Sequence, residues 1–316
     1  MLSRNNKKIK KTVKKTPKIL KNKKVKEESK SKTKVSLKSC SPSVGSKNSK
    51  NNTCFDFEAL LTIARSWNKS NPKDLIKIPS NKNSYKLWIE IDKRLKNKCD
   101  SEWCWIEQEF LKKLGSKEFK GIFRPKMPKS WKANKYEWLS TVDIESVMKQ
   151  YEDKYKDFKF IGPVPIDFDY EYTVGQCIVN ELCKLNLKKL MDNKITKVGV
   201  IFNLDPHDKS GSHWNALYLD LGIKKVYFFD SYASEPTKEV KALIERIQTQ
   251  GKELGLDIEY KYNQTRQQYK NSECGVYSIY FITQLLEGKK TFSDIEKASL
   301  PDDYINTKRN DFYIAD

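Results

Sequence analysis

Apolar residues recur at helical intervals between residues 54 and about 122: Phe57, Leu60, Leu61 and Ala64, then Leu87, Ile91 and Leu95, then Trp105, Ile106, Phe110 and Leu111. Spacings of three and four place such residues on one face, so this stretch predicts a small helical region. The basic, Pro-bearing segment FRPKMPKSWK, Phe123 to Lys132, interrupts the pattern and predicts a linker or domain boundary. A second helix-rich stretch follows around Tyr136 to Lys154. From Phe158 the period changes. FKFIGPVPIDF, VGVIFNL at 198–204, HWNALYLDL at 213–221 and KVYFFDS at 225–231 predict strands, and a short one, DIEYKY, runs from Asp257 to Tyr262. Helical patterns at about 178–192, 237–251 and 273–287 alternate with them. The predicted class is α+β, a mixed sheet flanked by helices. The predicted division is a tail at 1–53, a helical arm at 54–128 and a core at 129–316.

Charge changes the picture at one end only. The net charge is +20. Residues 1–53 hold 18 of the 61 Lys and Arg but 2 of the 41 Asp and Glu, so they carry +16 and the rest about +4. Their Lys, Ser, Asn and Thr content cannot bury enough apolar area to offset chain ordering, which predicts a disordered tail. KKIKKTVKK and KNKKVK suit non-specific binding of nucleic acid by counterion release, or a nuclear address. A solvating tail is the plainer reading of the same composition.

Cysteines at 40, 54, 99, 104, 177, 183 and 274 are odd in number, without a CxxC pair or framework spacing, which predicts a reducing compartment. No apolar run reaches the ~18 residues of a membrane span, and no apolar stretch follows the lysines at the start to form a secretory signal.

Cys274 opens the apolar run Val276 to Leu286, with Asn271 or Ser272 available as cap and Gly288 as stop. A helix apolar all round is buried, so its first turn brings the thiol to where a core meets a surface. Free amides and the positive helix end there favour a thiolate. Taken alone, a reduced cysteine packed at a helix start is the plainer reading. The strands ending HWNALYLDL and beginning KVYFFDS predict a hairpin about Leu221 and Gly222. That turn sets His213 opposite Asp230, Trp214 opposite Phe229 and Leu217 opposite Val226. An imidazole and a carboxylate so paired can hydrogen-bond, leaving the second ring nitrogen for a thiol. A pair serving only the sheet edge is the alternative.

The other histidine, His207, lies in the turn-rich DPHDKSGS and reads as a solvated loop residue. A metal site from both histidines lacks ligands at convincing spacing. An oxyanion donor could come from the Cys274 amide or from Gln268, with Gln264 and Gln267 left open as alternatives.

His213-Trp214, Asp230 seventeen residues later within FFDS, then Gln268 and Cys274-Gly275 resemble the adenovirus maturation protease and the SUMO-processing proteases, over roughly residues 156–316. The resemblance implies a papain-like cysteine protease core. It makes His213 the general base, Asp230 its orienter, Cys274 the nucleophile and Gln268 the oxyanion donor, with Trp214 flanking a glycine slot. It implies cleavage of a protein substrate after a Gly-Gly-type site, with no metal or organic cofactor. The SUMO proteases carry Trp-Leu-Asn before the first core helix, where this chain has VGQCIVNEL. FIGPVPIDF and the helical arm look more like the polyprotein-processing proteases of large DNA viruses. That likeness implies processing of structural or core precursors during virion maturation, in the host cytoplasm and the virion. A peptidase acting on SUMO or ubiquitin is the second version, and a nucleic-acid-binding virion protein with an inactive core the third.

Overall fold

A computed structural model describes residues 39–44, 53–112, 119 and 121–315. Within the predicted tail, residues 39–44 are folded: Cys40 is buried and bridges Phe123, and the Ser41 amide donates to the Ile122 carbonyl at 2.9 Å. Thr53 at its end is buried as well, and the remainder of that segment, with the predicted nucleic-acid contacts, lies outside the described residues.

The arm holds α1 (Phe57–Ser70), α2 (Ser84–Leu95), α3 (Glu102–Ile106) and α4 (Glu109–Lys112). Asp56 caps α1 by accepting from the Ala59 amide, and Asn83 caps α2 through the Lys86 amide. Their apolar faces close over a separate small core around Phe55, Leu60, Ile63, Leu87, Ile91 and Trp105. Inside it the buried Glu102 carboxylate accepts from the Cys54 amide at 2.9 Å, from Trp88 Nε1 at 2.6 Å and from the Thr53 hydroxyl. Burial, partly countered by these donors, raises its pKa.

The segment predicted as a linker is packed instead of free. Met127 N and Ile314 O, then Ile314 N and Pro125 O, pair it with the C-terminus, and Trp131 meets Tyr313 edge-on at 5.0 Å. Apolar groups at Met127 and Trp131 explain why it docks despite its prolines.

Beyond it run α5 (Thr141–Lys154), β1 (Phe158–Pro165), β2 (Glu171–Thr173), β3 (Gln176–Cys177), α6 (Asn180–Cys183), α7 (Leu187–Asp192) and β4 (Lys197–Asn203). Then come β5 (Trp214–Asp220), β6 (Lys225–Phe229), α8 (Lys238–Glu253), β7 (Glu259–Tyr262), α9 (Cys274–Leu286), α10 (Phe292–Lys297), α11 (Asp302–Thr307) and α12 (Arg309–Phe312). The helix expected over 178–192 is two helices, because Asn186 caps α7 afresh through the Lys189 amide. The short β2–β3 hairpin carries no apolar alternation, and all three residues of β2 are exposed.

Five strands form one sheet in the order β1-β4-β5-β6-β7, parallel at both outer pairs and antiparallel at the inner two. Alternate residues divide between two cores, as the two-residue period of a strand requires. Ala216, Tyr218 and Phe229 face α9 and α5, while Leu217, Leu219 and Phe228 face α8. α9 is therefore buried on almost every side, from Cys274 through Thr283. Truncating its Phe281 to Ala would cost about 3–5 kcal/mol.

Six of the seven cysteines are joined, Cys40 to Cys54, Cys99 to Cys104 and Cys177 to Cys183, and Cys274 is free. The irregular spacing that argued against a framework hid pairs that are each local, 14, 5 and 6 residues apart. No helix among the described residues is long and apolar enough to cross a membrane.

Candidate active site

Three element ends converge beyond one end of the inner strands β5 and β6: His213 just before β5, Asp230 just after β6, and Cys274 at the first position of α9. His213 Nε2 lies 3.1 Å from Asp230 Oδ1, with the two residues 7% and 1% exposed. The Cys274 thiol lies close enough to the imidazole to act on its charge, and the ring's other nitrogen is not used by Asp230. Burial opposes charge on His213, but the Asp230 carboxylate hydrogen-bonded to it and the Cys274 sulfur beside it outweigh that cost. Its pKa is pushed up to about 9.

The expected contact holds on a different register. Leu217 pairs with Phe228 and Ala216 with Phe229, two residues away from the predicted ladder. The connection is four residues long because Asp220 Oδ1 accepts from the Gly222 and Ile223 amides, at 2.9 and 3.3 Å. Lys224 completes the loop at φ 55°. A displacement of two keeps every side chain on its face, so His213 and Asp230 still share one. They meet past the last paired residues instead of directly across the ladder.

Asp230 is held firmly. Its Oδ1 also accepts from the Tyr232 amide at 2.7 Å. Its own amide donates to Asn263 Oδ1 at 2.9 Å, and its carbonyl accepts from Asn263 Nδ2 at 2.7 Å. α9 carries no side-chain cap: Ser272 donates to Glu273 Oε1 at 2.9 Å and Asn271 is exposed. The predicted cap is absent where free amides serve a thiolate or an oxyanion.

Of the three glutamines, Gln268 is fully buried. The Ser231 hydroxyl donates to its Oε1 at 2.6 Å, and its Nε2 donates to the Lys270 carbonyl at 2.8 Å, leaving a second N–H. Gln267 points elsewhere, donating to the Ile295 carbonyl at 2.7 Å, and Gln264 is exposed. Trp214 is buried, its Nε1 donating to the Leu139 carbonyl at 3.1 Å. His207 takes no part; it is exposed and pairs with Asp167 at 2.6 Å. Among the described residues no group of three or more His, Cys, Asp or Glu is placed to hold a metal ion.

Asn263, Ser231 and Tyr232 escaped the sequence reading. Asn263 follows β7, whose parallel pairing with β6 sets the residues after both strands side by side. Recognising that pairing would have exposed it; no pattern marks Tyr232.

Residues 146–313 match the Ulp1 protease family, C-terminal catalytic domain. A protein of Acanthamoeba polyphaga mimivirus named as a thiol protease is 38% identical over 284 residues, covering 83% of this chain and 89% of its own length. The African swine fever virus protein named SUMO-1 cysteine protease is 24% identical over 241 residues, covering 69% of this chain and 87% of its own. The crystal structure of the African swine fever virus protease superposes with a TM-score of 0.62 at 17% identity, covering 90% of this chain and 98% of that one. That likeness establishes the shared fold.

Proposed function

The chain belongs to the Ulp1 protease family and is a cysteine-type peptidase, and from this we propose that Cys274, His213 and Asp230 form its catalytic triad. The observation that carries the proposal is His213, buried with the Asp230 carboxylate on its Nε2 and the thiol of an uncapped helix end beside its ring. His213 takes the thiol proton, and Cys274 attacks the scissile carbonyl. The Cys274 amide and the second Gln268 N–H receive the oxyanion, and the imidazolium protonates the leaving amine. Water then releases the acyl group with His213 as base.

The substrate in this reading is a protein cut after a Gly-Gly-type site, in viral structural or core precursors, within the host cytoplasm and the virion. Trp214 narrows the slot, so that a Cβ on the substrate residue entering it would clash. The name of the African swine fever virus relative favours a second reading, in which SUMO or a similar modifier is the substrate. Purified protein incubated with a Gly-Gly-containing precursor and, separately, with a SUMO fusion separates the two. Cleavage of neither by wild type, under conditions where Cys274 reacts with an electrophile, would overturn the proposed specificity.

A further inference from the structure

The ring of Tyr232 lies against that of His213, with centroids 4.7 Å apart and planes 21° from parallel. The same residue touches the other parts of the site. Its amide donates to Asp230 Oδ1, the oxygen that faces His213. Its hydroxyl donates to the Lys270 carbonyl at 3.1 Å, which also accepts from Gln268 Nε2. The Arg266 guanidinium lies 5.0 Å from the Tyr232 ring and 5.0 Å from that of Tyr269, and its Nε donates to the Gln268 carbonyl at 2.8 Å. One residue thus joins the acid, the base and the loop that carries the oxyanion glutamine. Space-filling alone would use none of its polar groups.

We propose that Tyr232 is a positioning residue for the cleavage reaction, its ring fixing the imidazole plane so that one nitrogen meets Asp230 and the other Cys274. The proposal rests on the reading of Cys274 as nucleophile. An aromatic face also stabilises an imidazolium stacked on it, so the ring favours the ion pair over the neutral pair. The hydroxyl fixes the Lys270 carbonyl and through it the Gln268 amide. The titratable groups facing His213 are Asp230, Cys274 and Tyr232 itself, with Arg266 over the same tyrosine ring.

The test is the rate at which iodoacetamide alkylates Cys274 of the full chain between pH 5 and 10, with kcat/KM on a Gly-Gly peptide and thermal unfolding measured alongside. Tyr232→Leu should alkylate about tenfold more slowly at pH 6, where reactivity depends on the ion pair, and converge with wild type above pH 9. Tyr232→Met carries the same expectation where the Leu variant does not fold. Tyr232→Phe keeps the stack and should alkylate as wild type, while kcat falls a few-fold and KM holds. Wild-type alkylation rates at pH 6 in a folded Leu or Met variant would overturn the proposal. A wild-type Cys274 no more reactive at pH 6 than a free thiol would overturn the nucleophile reading beneath it.

Discussion

Asn263 grips Asp230 by both of its backbone groups, accepting from its amide at 2.9 Å and donating to its carbonyl at 2.7 Å. This reciprocal pair fixes where β6 ends and so where the carboxylate meets His213. Both residues are buried, so the lost partners cannot be replaced by bulk water. Asn263→Ala should destabilise the fold by about 1–3 kcal/mol. It should also lower kcat/KM by more than the unfolded fraction explains. Denaturant unfolding paired with kinetics on the same samples checks it; unchanged kcat/KM would show that Asp230 is positioned by other contacts.

Gly275 touches the walls of the site. A Cβ there would stand 3.1 Å from Leu139 Cβ and 3.2 Å from Trp214 Cδ1, tighter than nine in ten such contacts, so these neighbours would have to give by a few tenths of an ångström. Gly275→Ala gains up to about 1 kcal/mol of helix propensity and loses about 1–3 kcal/mol to overpacking. Stability should therefore change little, while the displaced indole lowers cleavage at least severalfold. Adding Leu139→Ala should return part of the activity, and strict additivity in that double-mutant cycle would sink the idea.

The pattern of strands and helices was legible because each buried face is continuous: β4 and β5 are buried along nearly their whole length, and α9 is apolar all round. The positions of His213, Asp230 and Cys274 were legible for the same reason, each standing where an apolar run begins or ends, whereas Gln268 was separated from Gln264 and Gln267 only by the family resemblance. The hairpin register was not, because the four-residue turn is decided by the Asp220 carboxylate and not by apolar spacing. The disulfides, the docking of the Pro-bearing segment and the contacts of Tyr232 and Asn263 depend on chain segments distant in sequence or on local geometry that no periodicity records.

The His213 charge sets a pH dependence. Its pKa is raised from 6.5 to about 9, so the stability it contributes is complete below about pH 6.5 and is lost as pH rises through about 9. The leaving amine needs the same proton. Hydrolysis should therefore fall as pH rises through about 9, and Asp230→Asn should move that limb downward by removing the hydrogen-bonded negative charge. A profile of kcat/KM against pH reads both, and a limb unmoved in Asp230→Asn would contradict the pairing.

Three disulfides leave Cys274 as the free thiol. Treatment of the unreduced, denatured protein with iodoacetamide, followed by peptide mass mapping, should label Cys274 alone. Cys40, Cys54, Cys99, Cys104, Cys177 and Cys183 should label only after reduction. Labelling of these six without reduction would show the pairs unformed in that preparation, the state expected in a reducing compartment.

The most direct test of the catalytic assignment is intact-mass analysis after exposure to a peptide ending in Gly-Gly and carrying a thiol-reactive electrophile at its C-terminus. Wild type should gain one adduct, mapped to Cys274, with His213→Ala slowed by orders of magnitude and Cys274→Ala unlabelled. An adduct of equal yield in Cys274→Ala, or a wild-type protein that cleaves substrate while Cys274 stays unmodified, would contradict the account.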